Sequence, residues 1–359
     1  MFRPIDPTAP SSFTWKHHVT RSGHKYRYID QNEAAKDVVL CLHGFPDLAY
    51  GWRYQILELV RRGYRVIVPD LLGYGGTSKP TEVEVYTYRS MCESISEILD
   101  HVHVKKVILL GHDWGAALSG RFLLYFPHRV RAWATICVPP VGRPNLSMSD
   151  IDWSVVVRTM FPNFGYQLYL MGDEAGEELT LYVKTFLLIV YCHMANSLPS
   201  KKARQVAAVA AAGKPSYVLE GVIRERVLGS KDVLESAEIN DKETKYYVDQ
   251  FKRGGFVGPV NWYKTRSLNY QEELAVRLPE TYPKNVPSLF VRVTKDEALP
   301  PELSSDEQLA ELFPGGNLKT VTIEGANHWV LQDPHFRDTF TTTLCDWVDI
   351  QAKTSKSHL

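Results

Sequence analysis

Gly111-His112-Asp113-Trp114-Gly115 puts an aspartate at the centre of a tight, glycine-bracketed turn. The apolar run Val107-Ile108-Leu109-Leu110 leads into it, and a helix-like run from Ala116 leads away. Strand, sharp turn and helix are the setting of a nucleophile elbow, in which the central side chain stands out at the top of a sheet. Serine is the usual occupant and suits acyl transfer. A carboxylate instead forms an ester by attacking a saturated carbon, so this elbow points to opening a strained ring or displacing a halide.

Two further groups fall into register with Asp113. Asp296 follows the apolar run Leu289 to Val293, and His328 follows Val321 to Ile323. Catalytic groups gather at the carboxyl ends of strands in open α/β sheets. A single Asp after a strand is more often a helix N-cap, and a lone His is more often a satisfied structural one. Three such placements in the order nucleophile, acid, histidine make a triad the expectation, with Glu297 beside Asp296 as the alternative acid. The segment His43-Gly44-Phe45-Pro46 also follows a strand and precedes a helix. The backbone N–H groups of Phe45 and Trp114 are the expected oxyanion hole, and His43 is expected to be structural support.

These groups need a scaffold, and the chain alternates accordingly. Phe13 to Val19 and His24 to Ile29 read as strands joined by a turn at Arg21-Ser22-Gly23. Val38 to His43, Arg65 to Pro69, Lys106 to Gly111 and Val130 to Val138 read as strands, with helices at Trp52 to Arg62, Met91 to Val102 and from Ala116 to near Pro127. Continuous apolar strands between amphipathic helices predict a mostly parallel sheet covered on both faces. The rhythm breaks at Pro139-Pro140, and from there to about Trp262 only helix-like runs occur. It resumes with strands at Ser288 to Val293 and Leu318 to Ile323 and a helix from about Phe336 to Ile350. The expected division is therefore a core over residues 1–139 and 270–359, interrupted by a helical lid over 140–269.

Composition narrows the function. Lys plus Arg and Asp plus Glu both number 41, with no basic stripe, so nucleic acid is not an expected partner. The N-terminus lacks an apolar signal core, and the longest apolar run, near Phe186 to Cys192, is too short to span a bilayer, so a soluble protein is expected. The five cysteines, Cys41, Cys92, Cys137, Cys192 and Cys345, form no C-x-x-C pair and read as reduced core residues. No metal-ligand spacing appears, and no cofactor is expected. The chain ends Ser357-His358-Leu359, similar to a peroxisomal address of the S-K-L type, so a cytoplasmic or peroxisomal location is expected.

With HGFP at 43–46, GYG at 73–75, GHDWG at 111–115, Asp296 and the GANHW segment ending at Trp329, the chain resembles the epoxide hydrolases of the α/β-hydrolase superfamily, close to the catalytic domain of the soluble ones. The resemblance spans nearly the whole chain and implies an α/β-hydrolase fold. It also implies two lid tyrosines that hydrogen-bond the epoxide oxygen. Phe164-Gly165-Tyr166 and Asn261-Trp262-Tyr263 match those segments and give Tyr166 and Tyr263, with Tyr169 the rival of Tyr166. At 359 residues there is no room for the extra phosphatase-like domain of mammalian relatives, so epoxide hydrolysis alone is implied.

The implied partners are a small epoxide and water. Trp153, Phe161, Phe164 and Phe186 in the insertion favour an apolar substrate. A haloalkane dehalogenase is the nearest rival. It needs side-chain N–H donors for a halide, and the ring of Phe45 offers none. A fluoroacetate-type dehalogenase would be expected to carry arginine where Trp114 stands. A serine esterase is disfavoured by Asp113, and a catalytically dead scaffold is disfavoured by the intact triad.

Overall fold

A computed structural model describes residues 4–143 and 152–354. The C-terminal Ser357-His358-Leu359 lies outside the described residues. Eight strands form one sheet: β1 (Trp15–Val19), β2 (Lys25–Gln31), β3 (Val38–Leu42), β4 (Arg65–Pro69), β5 (Val107–His112), β6 (Val130–Ile136), β7 (Ser288–Val293) and β8 (Leu318–Ile323). Their spatial order is β1-β2-β4-β3-β5-β6-β7-β8. β1 and β2 form the antiparallel hairpin expected around Gly23, whose φ of 85° suits a turn glycine. β2 pairs antiparallel with β4, and every later pairing is parallel.

All residues of β3, β4 and β5 are buried, which explains why they are apolar apart from Arg65 at the start of β4 and His112 at the end of β5. Between the strands run α1 (Arg53–Arg61), α2 (Tyr88–His101) and α3 (Trp114–Tyr125). α2 starts three residues before Met91 because the Thr87 hydroxyl accepts the Ser90 amide and caps the first turn.

After β6 the chain leaves the core. The short helices α4 (Trp153–Thr159), α5 (Gly165–Leu170), α6 (Ala175–Leu181), α7 (Val183–Val190) and α8 (Cys192–Ala195) come first. The longer α9 (Lys201–Ala212), α10 (Val222–Leu234) and α11 (Lys242–Gly254) follow, then α12 (Val257–Lys264) and α13 (Arg266–Ala275). No strand interrupts them among the described residues. The expected boundary at 269 falls inside α13. Beyond it lie β7, α14 (Asp306–Leu312), β8 and α15 (Arg337–Thr354). No described helix is long and apolar enough to cross a membrane.

Candidate active site

Asp113 follows directly on β5 and caps α3, with φ 54° and ψ −126°. That region is costly for a residue with a Cβ, about 1–3 kcal/mol, and persists only where the surroundings over-determine it. Here they do. The Asp113 carbonyl accepts from the amides of Ala116 and Ala117 at 2.8 and 3.2 Å. Its side-chain Oδ1 accepts from the Phe45 amide at 2.6 Å. Two glycines let the pieces approach. A Cβ on Gly115 would collide with the carbonyls of Leu42 and His43, and one on Gly44 would occupy the place of the Asp113 carboxyl.

His328 lies five residues past the end of β8. Its Nδ1–H donates to Asp296 Oδ2 at 2.6 Å, and its Nε2 stands 3.4 Å from Asp113 Oδ2. Asp296 is fixed in turn, because its Oδ1 accepts from the amides of Ala298 and Leu299, both at 3.0 Å. Of the two consecutive acids, only Asp296 faces the histidine. Glu297 is exposed and its carboxylate accepts from the Ser216 hydroxyl of the insertion.

Burial alone would push the Asp113 carboxyl up. The hydrogen bond and charge of His328 outweigh it and hold the pKa below the usual aspartate value. Burial likewise opposes a charge on His328, yet Asp296 and Asp113 together push its pKa up to about 10. The resting pair is therefore an ionised carboxylate beside an imidazolium. His112 differs. Burial, followed by the nearby His328, pushes it down to about 4, so it is neutral.

The neutral ring of His112 donates from Nε2 to the His328 carbonyl at 2.8 Å, and the Cys137 thiol donates to the same oxygen at 3.5 Å. Potential ligand atoms of His112, Cys137 and His328 lie within 4.8 Å of one another. The His112 N–H and the Cys137 thiol are already committed to that carbonyl, and the cluster reads as a clamp on the histidine's backbone. His43 is fully buried. Its Nε2 accepts the Leu71 amide at 3.0 Å, which is the supporting role expected of it.

Tyr166 and Tyr263 come from opposite ends of the insertion and meet with ring centroids 6.2 Å apart, at 81°. Tyr166 is positioned by its amide, which donates to the Val218 carbonyl at 2.8 Å. Tyr263 presents its ring edge-on to Phe45 and Trp114, at 5.2 and 5.0 Å. Desolvation raises the pKa of both phenols, and the charge of Asp113 adds to it, so both stay protonated. Tyr169, the alternative, donates its hydroxyl to Glu178 at 2.7 Å instead.

Asp113, Asp296, His328, Tyr166 and Tyr263 line one cavity, whose remaining wall is largely apolar: Phe45, Leu170, Phe186, Val190 and Ile223 among others. Of the expected aromatic lining, Phe186 is in this wall, and Phe164 lines an adjoining space beside Asp113 and Trp114. Trp153 lies elsewhere, stacked under the guanidinium of Arg266 at 3.9 Å.

Some residues around the site gave no sequence signal. The amide of Gln167 donates to the Tyr166 hydroxyl at 3.5 Å. Asp47, just past Phe45, accepts from Tyr247 of the insertion at 2.5 Å and from Gln332. Tyr247 and Gln332 are distant from Asp47 in sequence, so no local pattern announces their contact with it.

Residues 37–181 match the sequence profile of the alpha/beta hydrolase fold. The epoxide hydrolase srdG of Neurospora crassa is 35% identical over 296 residues, covering 82% of this chain and 81% of its own. The chain belongs to the epoxide hydrolases. The bifunctional epoxide hydrolase 2 of Sus scrofa is 28% identical over 97% of this chain, which spans 58% of that longer protein. Among solved structures, epoxide hydrolase A from Mycobacterium thermoresistibile is 27% identical and superposes with a TM-score of 0.69, covering 92% of this chain and 98% of its own. The epoxide hydrolase VrEH1 from Vigna radiata reaches a TM-score of 0.71 at 23% identity, covering 95% and 99%, which speaks for a shared fold.

Proposed function

We propose that this epoxide hydrolase converts apolar epoxides to vicinal diols through an ester on Asp113, beneath a lid formed by residues 140–269. One observation carries the reading: an ionised carboxylate, an Asp-held histidine and two protonated phenols converge on a single apolar cavity. A carboxylate oxygen of Asp113 attacks one epoxide carbon, and the ring C–O bond breaks. Tyr166 and Tyr263 hydrogen-bond the departing oxygen and supply its proton, a contribution typically worth about 10²–10⁴-fold. The product is a hydroxyalkyl ester of Asp113.

Esterification removes the Asp113 charge that helps keep His328 protonated, so the imidazolium yields its proton to the phenolate left by ring opening, and the neutral imidazole is the base for the second step. His328, oriented by Asp296, takes a proton from water, and the resulting hydroxide adds to the ester carbonyl. The Phe45 amide already donates to an Asp113 oxygen at 2.6 Å, and with the Trp114 amide it receives the tetrahedral oxyanion. Collapse expels the diol oxygen, which takes up the proton from His328, and the Asp113 carboxyl then passes its own proton to His328, restoring the resting pair.

The test is a single turnover in water enriched in heavy oxygen. The first diol should be unlabelled, because its new oxygen comes from Asp113. Label in that first diol would mean direct attack by water and would overturn the ester mechanism.

A further inference from the structure

The second step needs water at His328 when the ester already occupies the cavity. That cavity has a volume of only about 60 Å³. Its wall away from the catalytic groups is largely apolar, so a substrate bonded to Asp113 fills it and displaces water from that side. His328 has a second face. A separate chamber of about 360 Å³ lies behind it, and Val190, Tyr217, His328 and Trp329 line both spaces as a partition. This outer chamber carries polar side chains unrelated to the triad: His193, Lys295, Glu297, Asn327, Asp333 and His335. Its far wall is a stripe of small residues on α9, Ala208, Ala211 and Ala212. Polar groups with room between them hold water, whereas the apolar cavity does not once occupied.

We propose that the outer chamber is the water reservoir for ester hydrolysis, delivering water to His328 through the partition while the substrate seals the inner cavity. The inference rests on the ester mechanism above. It assigns the α9 alanines a function, because their small side chains keep the chamber open. It also separates the two half-reactions in space: the epoxide reaches Asp113 from the apolar side, and water reaches the base from the polar side.

Filling the chamber tests this. Ala211→Trp and Ala208→Trp each place an indole in it from α9, and Ala208 is exposed, so its replacement is compatible with folding. Val209→Trp, on the same helix but outside that chamber's lining, is the control for adding a tryptophan. Ester formation and breakdown are followed by rapid quenching and mass spectrometry of the Asp113 peptide. Formation should stay within about twofold of the unsubstituted enzyme, and breakdown should slow by about tenfold in the two chamber variants alone, so that ester accumulates. Unchanged breakdown in both variants would overturn the proposal, as would equal slowing of formation and breakdown, which would make the chamber a substrate route. If the unsubstituted enzyme forms no ester with any epoxide, the ester mechanism itself has failed.

Discussion

Arg121 and Glu273 form a buried ion pair, Nε to Oε1 at 2.7 Å, joining α3, which begins at the Asp113 turn, to α13, where the insertion returns to the core. The other guanidinium nitrogens donate to the carbonyls of Val141 and Gly142, at 2.7 and 3.1 Å, where the insertion departs. One side chain therefore grips the chain on both sides of the insertion. Removing one partner of a buried pair leaves an uncompensated charge and costs about 3–5 kcal/mol. Arg121→Met and Glu273→Leu should each lower stability by that order in chemical denaturation. The double variant should lose less than the sum of the two; simple additivity would show that the residues are not coupled.

His328→Gln removes the base and leaves Asp113 in place. Ester should form and persist, giving a protein heavier by the mass of one epoxide, while steady-state turnover falls by about 10²–10⁴-fold. A variant that turns over without accumulating adduct would place the base elsewhere.

Tyr166→Phe and Tyr263→Phe act on the first step. Each should slow ester formation, and the pair together should abolish it, because a single remaining phenol still donates to the epoxide oxygen. The rate of ester breakdown, measured on enzyme that has already reacted, should change little in either single variant. Ester formation that survives loss of both hydroxyls would remove the lid tyrosines from the mechanism.

The charge on His328 has a signature in stability. Its pKa rises from an ordinary 6.5 to about 10 on folding, so the folded state holds an extra proton between those values. Its stabilising contribution is complete below pH 6.5 and fades as pH rises towards 10. Denaturation midpoints should therefore fall across that window, and the fall should be shallower in His328→Gln. An equal slope in both proteins would mean that other groups dominate.

Much of the scaffold was legible because each element shows its burial locally. β4 and β7 occupy the expected Arg65 to Pro69 and Ser288 to Val293, since their apolar runs, Val66 to Val68 and Leu289 to Val291, are buried within a covered sheet. Ends were less legible. α3 begins at Trp114 rather than Ala116, because Gly115 breaks the helical pattern in the sequence while its lack of a side chain lets the turn sit against β3. Asp113, Asp296 and His328 could be found from strand ends alone. The Arg121 clamp, Asp47 with Tyr247, and the contact of Glu297 with Ser216 could not. These pairs join residues far apart in sequence, and a lone Arg, Asp or Glu looks the same whether it points to solvent or to a distant partner. The two acids at 296 and 297 illustrate the limit, since only the turn made by the Ala298 and Leu299 amides decides which one meets the histidine.

The bent backbone at Asp113 has a kinetic meaning. A flexible carboxylate would have to be frozen into line at every catalytic cycle, against rotation and against its own hydration shell. In this chain that ordering happens once, during folding, and the packed sheet beneath the elbow sustains it. On the proposed mechanism the reacting oxygen thus meets each incoming molecule already aimed, and what remains of the barrier belongs to bond making and bond breaking.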